Sequence, residues 1–416
     1  MPAALKFLLA ARRCEIHGLE QLALTCQLVS AIGQLVHMLQ RERGVSSVVA
    51  ASRGARFVDQ LGARVADSDA MAAAVREGFD RLDTDPGLLP AGARLFSRIA
   101  AVVHSLDALP EVRARVRALE MSAEAVTDFY TRLIGGLLTV VFEAADGAGD
   151  PDVSRALVAL FNFMQGKELA GQERATGAAG FASGRFDSAR QHRLVHLVEA
   201  QQRCFDIFAE FSDPALAALW EQALPAADLA ALERLRRVAM TASDVDAGSD
   251  TWFELTTRRI DRMKEVEDRL AVELLRLAER KTAEARAALQ DHAAMFDDFV
   301  RDAACHGTVE PPAPDGGGAA APTGLSRSVF DLLHVQSRRL QEMGDELARA
   351  RAALAERKTI ERAKGVLMEH RGLSEDQAYR LLRQQAMDQG RRMVDVAQTV
   401  LGFAELLRHE QPSSRR

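Results

Sequence analysis

Cysteines, aromatic residues and long uninterrupted apolar runs are what this chain has least of. Its four cysteines (Cys14, Cys26, Cys204 and Cys305) are widely separated, with no CxxC and no histidine at zinc-ligand spacing. Neither a disulfide framework nor a metal site is therefore expected, and the thiols read as reduced and mostly buried. Aromatics make up only 5% of the residues, and the β-branched or aromatic clusters that mark strands are hard to find. No apolar run approaches the ~20 residues that span a bilayer. The opening MPAALKFLLAARRCE is too short in its apolar part for a secretory signal and lacks a small-residue cleavage site, so a cytoplasmic protein without a membrane segment is expected. There is no glycine-rich phosphate loop. His334 sits on a dimer-like helix as a phosphoacceptor would, but nothing after it resembles an ATP-binding domain, so no enzyme and no cofactor are expected.

Alanine, leucine and arginine recur instead, and the first two favour helix, so the expected class is all-α. With 416 residues, 48% hydrophobic and 27% charged, the chain exceeds a single core and should hold two or more domains. The net charge of −6 argues against non-specific nucleic-acid binding by the whole molecule, but it is unevenly spread. Residues 351–392 hold ten Arg/Lys against six Asp/Glu, a local +4 that leaves about −10 elsewhere. A basic module on an acidic body is what a small nucleic-acid reader attached to a larger sensor looks like.

One segment breaks the helical texture, His306 to Gly324 (HGTVEPPAPDGGGAAAPTG), because proline and glycine do not tolerate a helix interior. It divides a helical domain at 15–305 from a C-terminal part through a linker at 306–325. Upstream, breaks are expected at Asp83–Leu89, Asp146–Pro151, Ser212–Pro214 and Ser243–Asp250. Asp150-Pro151 and Asp213-Pro214 read as helix starts, an N-cap acceptor followed by a proline suited to the first turn. Apolar stripes run Leu28, Ile32, Leu35, Leu39 and then Arg43, and Leu157, Phe161, Met164. The length suggests two stacked four-helix bundles. After the linker, Val329, Leu333, Gln336, Leu340, Met343, Leu347, Ala350 and Leu354 alternate steps of four and three. They form a heptad seam over 326–356 that implies a coiled-coil homodimer or a helix packed on the sensor. Gly372 and Gly390 then end two helices, a Ser374-x-x-Gln377 capping box opens one, and Met393, Val396, Ala397, Val400 and Leu401 trace the buried face of the last.

The stretch ERKTIERAKGVLMEHRGLSEDQAYRLLRQQAMDQGRR, followed by VDVAQTVL, resembles the ANTAR domain, the RNA-binding module of bacterial transcription antiterminators. The resemblance covers Leu340 to Leu406 (a domain at 340–406) and rests on Ala363, Lys364, Gly365, Leu367 and Met368, then Ala378-Tyr379, then Ala386-Met387. It implies a long helix leading into a three-helix module that grips paired hairpins of a leader mRNA, with RNA rather than DNA as the partner. Phosphates would be held by Arg357, Lys358, Arg362, Lys364, Arg380, Arg383, Arg391 and Arg392. Tyr379 either stacks on a loop base or belongs to the core.

Upstream, LQRERGVSSVVAASRG (Leu39–Gly54), KELAGQERATGAAGF (Lys167–Phe181) and WFELTTRRIDRMKEVED (Trp252–Asp268) resemble the NIT domain, a helical module that senses nitrate and nitrite. The pairing with ANTAR implies nitrate or nitrite as effector and transcription antitermination as output. The alternative is a sensor for another small anion or a protein partner. Nitrate is a planar monoanion with three acceptors, and guanidinium offers planar forked donors and a permanent charge. An inward arginine needs an anionic partner. Arg43 extends an apolar stripe, and Arg174 lies about three turns beyond Met164, beside Gly171, where helices could approach closely. Arg236 shares a face with Leu229 and Leu232, while Arg234 and Arg237 point elsewhere. Arg43 and Arg174 lead as nitrate ligands, Arg236 is third, and Arg41 and Arg259 are reserves. Glu42 and Glu173 supply the alternative of ordinary ion pairs. Gly44 and Ser46-Ser47 either permit close helix packing, the favoured reading, or add hydroxyl donors.

Overall fold

A computed structural model describes residues 3–82, 92–242, 248–305, 324–373 and 375–409. Among them there is no strand, and thirteen helices follow one another. They are α1 (Ala3–Ala51), α2 (Val58–Asp80), α3 (Gly92–Asp107), α4 (Leu109–Arg117), α5 (Ala123–Gly147), α6 (Pro151–Ser183) and α7 (Ser188–Phe211). Then come α8 (Pro214–Glu221), α9 (Ala226–Thr241), α10 (Ser249–Cys305), α11 (Gly324–Arg371), α12 (Glu375–Gln389) and α13 (Met393–His409).

The helix starts follow the expected chemistry. Asp150 Oδ1 accepts from the backbone N–H groups of Asp152 at 3.0 Å and Val153 at 3.1 Å, opening α6. Asp213 accepts from the Ala215 N–H at 2.8 Å, with Pro214 as the first residue of α8. The break expected at Asp83–Leu89, most of Ser243–Asp250, Ser374 and most of the linker lie outside the described residues.

The chain divides into two compact units, Met1–Ser154 with Arg269–Leu347, and Arg155–Asp268 with Ala348–Arg416. In the first, α1 packs along α2 and α5, and α5 also along α3. Leu28, Ile32, Leu35, Leu39 and Arg43 are all buried, as their spacing on one helical face requires. Averaged over 18 residues, α1 and α5 are apolar enough to match a membrane span, which uninterrupted runs did not suggest. Half of each window is buried inside the protein, as in the core helix of a bundle.

The second unit is built around α6. Its stripe of Leu157, Phe161 and Met164 is buried. Phe163 meets Phe205, Phe208 and Trp220 edge-on, with ring centroids 4.9–5.6 Å apart. Further along, Phe181, Phe186, Leu194, Leu232, Ala239 and Trp252 form another core. Glycine is required there by space: a Cβ on Gly177 would lie 2.2 Å from the Trp252 indole, and one on Gly180 2.1 Å from the Phe186 ring.

The C-terminal helices of this unit enclose Ala363, Leu382, Ala386, Val396 and Ala397, flanked by Ile360, Leu367, Met393, Val400 and Leu401. The face expected on α13 is therefore the one that packs. Gly390 takes φ +59° at the end of α12, and the next N–H, that of Arg391, reaches back to the Ala386 carbonyl at 3.0 Å. Gly372 takes φ +61° after α11. α11 is continuous over 48 residues. Of the heptad positions Val329, Leu333, Gln336, Leu340, Met343, Leu347, Ala350 and Leu354, only the half-buried side chain of Leu347 is among the described residues.

Candidate functional site

In the first unit the inward face of α1 ends in a polar cluster. Glu42 is fully buried, and Arg113 of α4 grips both its oxygens, Nε to Oε1 at 2.7 Å and Nη2 to Oε2 at 2.9 Å. Tyr130 of α5 donates its hydroxyl to Oε1 at 2.7 Å. Arg113 Nη1 also reaches Asp69 of α2, an exposed carboxylate, at 2.6 Å. Burial alone would lower the Arg113 pKa, but the hydrogen bonds and charges of Glu42 and Asp69 prevail and hold it above the usual arginine value. One residue on, Arg43 Nη1 donates to the Thr131 hydroxyl of α5 at 2.9 Å, and a turn later Ser47 and Thr127 share a hydrogen bond of 2.9 Å.

The second unit repeats this arrangement on α6. Glu173 is buried, and Arg236 of α9 grips it at two points, Nε to Oε1 at 2.7 Å and Nη2 to Oε2 at 2.8 Å. Gln201 of α7 donates to Oε2 at 2.7 Å. Arg236 Nη1 reaches the exposed Glu233 at 2.6 Å, as Arg113 reaches Asp69. Arg174 Nη1 donates to the Thr257 hydroxyl of α10 at 3.1 Å, as Arg43 does to Thr131, and its guanidinium lies 5.5 Å from the Phe253 ring. Arg259 of α10 is also buried, donating to Gln201 Oε1 at 2.8 Å and lying 3.5 Å from Glu173 Oε2. Burial would raise the Glu173 pKa, but the Arg236 and Arg259 charges keep it below the usual carboxylate range. For Arg259, burial and then the charge of Arg236 push the pKa down to about 10.

Of the five arginines expected at the site, Arg236 and Arg259 therefore meet around one carboxylate in the second unit, with Arg174 on the next residue of the same helix. Arg43 belongs to the equivalent cluster of the first unit, and Arg41 is exposed. Arg234 and Arg237 point outward as expected, but Leu229 is exposed rather than sharing the buried face of Leu232 and Arg236. Gly44 does not serve close packing. It is exposed and a Cβ there would meet nothing within 4 Å, so the close approaches fall at Gly177 and Gly180 instead. Cys26 and Cys204 are buried and Cys14 exposed, and burial pushes the Cys26 thiol up to about 12.

In the C-terminal helices, Arg362, Arg380, Arg391 and Arg392 are exposed, Lys358 and Arg383 are half-buried, and Arg357 lies outside the described side chains. Lys364 is buried and forms an ion pair with Glu361 at 2.9 Å. Arg392 reaches Glu356 at 3.0 Å. Tyr379 is buried, yet it is not part of the apolar core of its own helices. Its ring lies 4.3 Å from the His196 ring of α7, the Arg203 guanidinium lies 5.1 Å from it, and Arg383 pairs with Glu199 at 3.0 Å. Its hydroxyl has no hydrogen-bond partner among the described residues. Burial raises its pKa.

Sequence reasoning missed Arg113, Tyr130, Thr131, Gln201 and Thr257, although for Thr131 and Thr257 a signal exists. ASRGARF at 51–57 echoes ASGRF at 182–186, each following a Glu-Arg pair, and FYTRLI at 129–134 echoes LTTRRI at 255–260. Thr131 is the ninth residue of α5 and Thr257 the ninth of α10. His196, Glu199 and Arg203 left no comparable mark, because nothing local distinguishes the surface of α7 that meets α12.

Fold and clusters together describe a helical body with buried arginine–carboxylate stations, followed by a small basic helical module. A family model described as nitrate and nitrite sensing matches residues 34–275, and an ANTAR-domain model matches residues 348–401. The chain is 36% identical over 412 residues to the nitrate regulatory protein of Klebsiella oxytoca, covering 98% of this chain and 97% of that one. It is similar to the solved structure of the NasR transcription antiterminator, with a TM-score of 0.60 and 34% identity over 97% of this chain and all of that one. The chain belongs to the family of nitrate-responsive antiterminators that join a NIT sensor to an ANTAR domain.

Proposed function

We propose that this protein is a cytoplasmic regulator in which nitrate or nitrite, bound by inward arginines of the NIT domain, frees the ANTAR helices to hold hairpins of a nascent leader mRNA and prevent termination. The ligand set is drawn from the inward Arg43, Arg174 and Arg236, with Arg259 and the exposed Arg41 in reserve. The RNA is gripped by Arg357, Lys358, Arg362, Arg380, Arg383, Arg391 and Arg392, with Tyr379 stacking on a base once it leaves α7 and Lys364 buried behind them against Glu361, and α11 pairs two copies as a homodimer.

The observation that carries this reading is the double duty of α7. Its Gln201 lies in the Glu173 cluster, while Glu199 and Arg203, two residues to either side, hold Arg383 and Tyr379 of the C-terminal module. A ligand that shifts α7 thus acts on both. It moves the equilibrium only by as much as it binds the released state more tightly than the held one. The test is binding of a two-hairpin leader RNA to the full chain with and without nitrate. Tighter binding with nitrate is expected; equal affinity in both would remove the switch.

A further inference from the structure

The repeat that matches Glu173 to Glu42 also matches two positions whose chemistry differs. Lys167 stands six residues before Glu173, where Val36 stands before Glu42, and Glu267 stands ten after Thr257, where Val141 stands after Thr131. Lys167, Val36 and Val141 are fully buried, and Glu267 is 2% exposed. Lys167 Nζ lies 2.6 Å from Glu267 Oε2. An ion pair thus joins α6 to α10 at a level where the first unit has two valines. The charges nearby have partners of their own. Lys264, 3.5 Å from Glu267 Oε1, pairs with Asp268, and Glu168, buried beside Lys167, accepts from Gln172 at 3.0 Å. Burial pulls the Lys167 pKa below its usual value, against the attraction of Glu267.

Such a pair adds little net stability, because desolvation offsets the attraction and apolar residues serve as well or better. What it specifies is register. α6 and α10 run antiparallel, with Arg174 on Thr257, Glu173 near Arg259 and Lys167 on Glu267. A slip of one turn, about 5.4 Å, would set Lys167 against Met263 or Ala271, both buried and apolar, and strand two charges. The same slip in the first unit would set Val36 against Leu137 or Ala145, apolar on apolar. The first unit ties its helices closely at the station itself, where Tyr130 of α5 donates to Glu42 at 2.7 Å. In the second, the matching Thr256 turns its hydroxyl back to the Trp252 carbonyl at 2.6 Å, and Arg259 stands 3.5 Å from Glu173. The close charged tie to α10 is displaced to Lys167, about 9 Å along α6 from Glu173.

We propose that Lys167 and Glu267 are positioning residues that lock α6 and α10 in one register, so that the two helices present the Glu173 station as one rigid face and a ligand's effect passes to α7 and α9 instead of being lost in sliding. The consequence for RNA rests on the nitrate reading above; the lock itself does not. The test compares the full-length parent with Lys167→Val/Glu267→Val, which copies the first unit, and with the exchanged pair Lys167→Glu/Glu267→Lys. Thermal melts, RNA binding with and without nitrate, and the distance between nitroxide amino acids placed at the exposed Ala179 of α6 and Arg262 of α10 are measured on each. The valine variant should melt no lower than the parent, show a distance distribution broadened by about one helical turn, and lose at least about five-fold of the nitrate-induced gain in RNA affinity. The exchanged pair should restore the single distance and the gain. A valine variant that melts far below the parent makes the pair a source of stability and overturns the proposal, as does one that keeps the parent's single distance or its full nitrate response. A parent whose RNA affinity ignores nitrate removes the regulatory reading, while a broadened distance in the valine variant still upholds the lock.

Discussion

Glu173 and Arg236 meet at two points, 2.7 and 2.8 Å apart, on adjoining helices of one bundle, and neither is accessible enough to be rescued by water. Such a pair constrains the register of α6 against α9 more than it adds net stability, because desolvation offsets most of the attraction.

Removal of one partner should therefore be costly. Glu173→Gln leaves Arg236 and Arg259 facing each other, and a loss of about 3–5 kcal/mol is expected for breaking a buried pair. Glu42→Gln leaves Arg113 beside Asp69, so it should cost less. Thermal melts of the two variants check the order; a Glu42 variant that melts lower than the Glu173 variant would contradict the charge assignment.

The same pair sets an acid limit. The folded pKa of Glu173 is depressed below its unfolded value, so its contribution is fully present above the unfolded pKa of roughly 4.3 and is lost as pH falls through the lower folded value. Denaturant titrations at pH 7, 5, 4 and 3 should show the parent losing stability over the acid steps more steeply than Glu173→Gln. Parallel curves would mean that Glu173 does not control this window.

Much of this was legible in the sequence. The stripe from Leu28 to Arg43 marked the buried face of α1, because helical spacing and burial are local facts. The α13 face from Met393 to Leu401 was legible for the same reason. The partners of Glu42 and Glu173 were not, because Arg113 and Arg236 lie 71 and 63 residues away and sequence spacing carries no such distance. The internal echo of FYTRLI in LTTRRI marks the equivalent Thr131 and Thr257, but it contains neither Arg113 nor Arg236. Gly44 was misread because a glycine beside a charged turn marks close packing only when another helix is there.

Glycine substitutions separate space from propensity. Gly44→Ala removes backbone entropy from an exposed helix position and should stabilise by about 0.5–1 kcal/mol. Gly177→Ala drives a methyl into the Trp252 indole and should destabilise by about 1–3 kcal/mol. Denaturant midpoints of the two variants should move in opposite directions from the parent's.

The hold of α7 on the C-terminal module is open to the same treatment. Arg203 over the Tyr379 ring is worth about 0.5–2 kcal/mol, and the partly exposed Arg383–Glu199 pair no more than about 1 kcal/mol. Together they bias the held state by an amount that a small differential ligand affinity can reverse. Arg203→Ala with Glu199→Ala should raise nitrate-free affinity for a two-hairpin RNA roughly five- to fifty-fold, the factor that about 1–2.3 kcal/mol represents, and should shrink the response to nitrate. Tyr379→Ala loosens the same contact but removes the proposed stacking ring, so its RNA binding should fall even with nitrate present. Fluorescence anisotropy of labelled RNA measures all three. If the α7 variants bind as weakly as the parent without nitrate, these contacts do not restrain the module, and the switch has to be sought in α11.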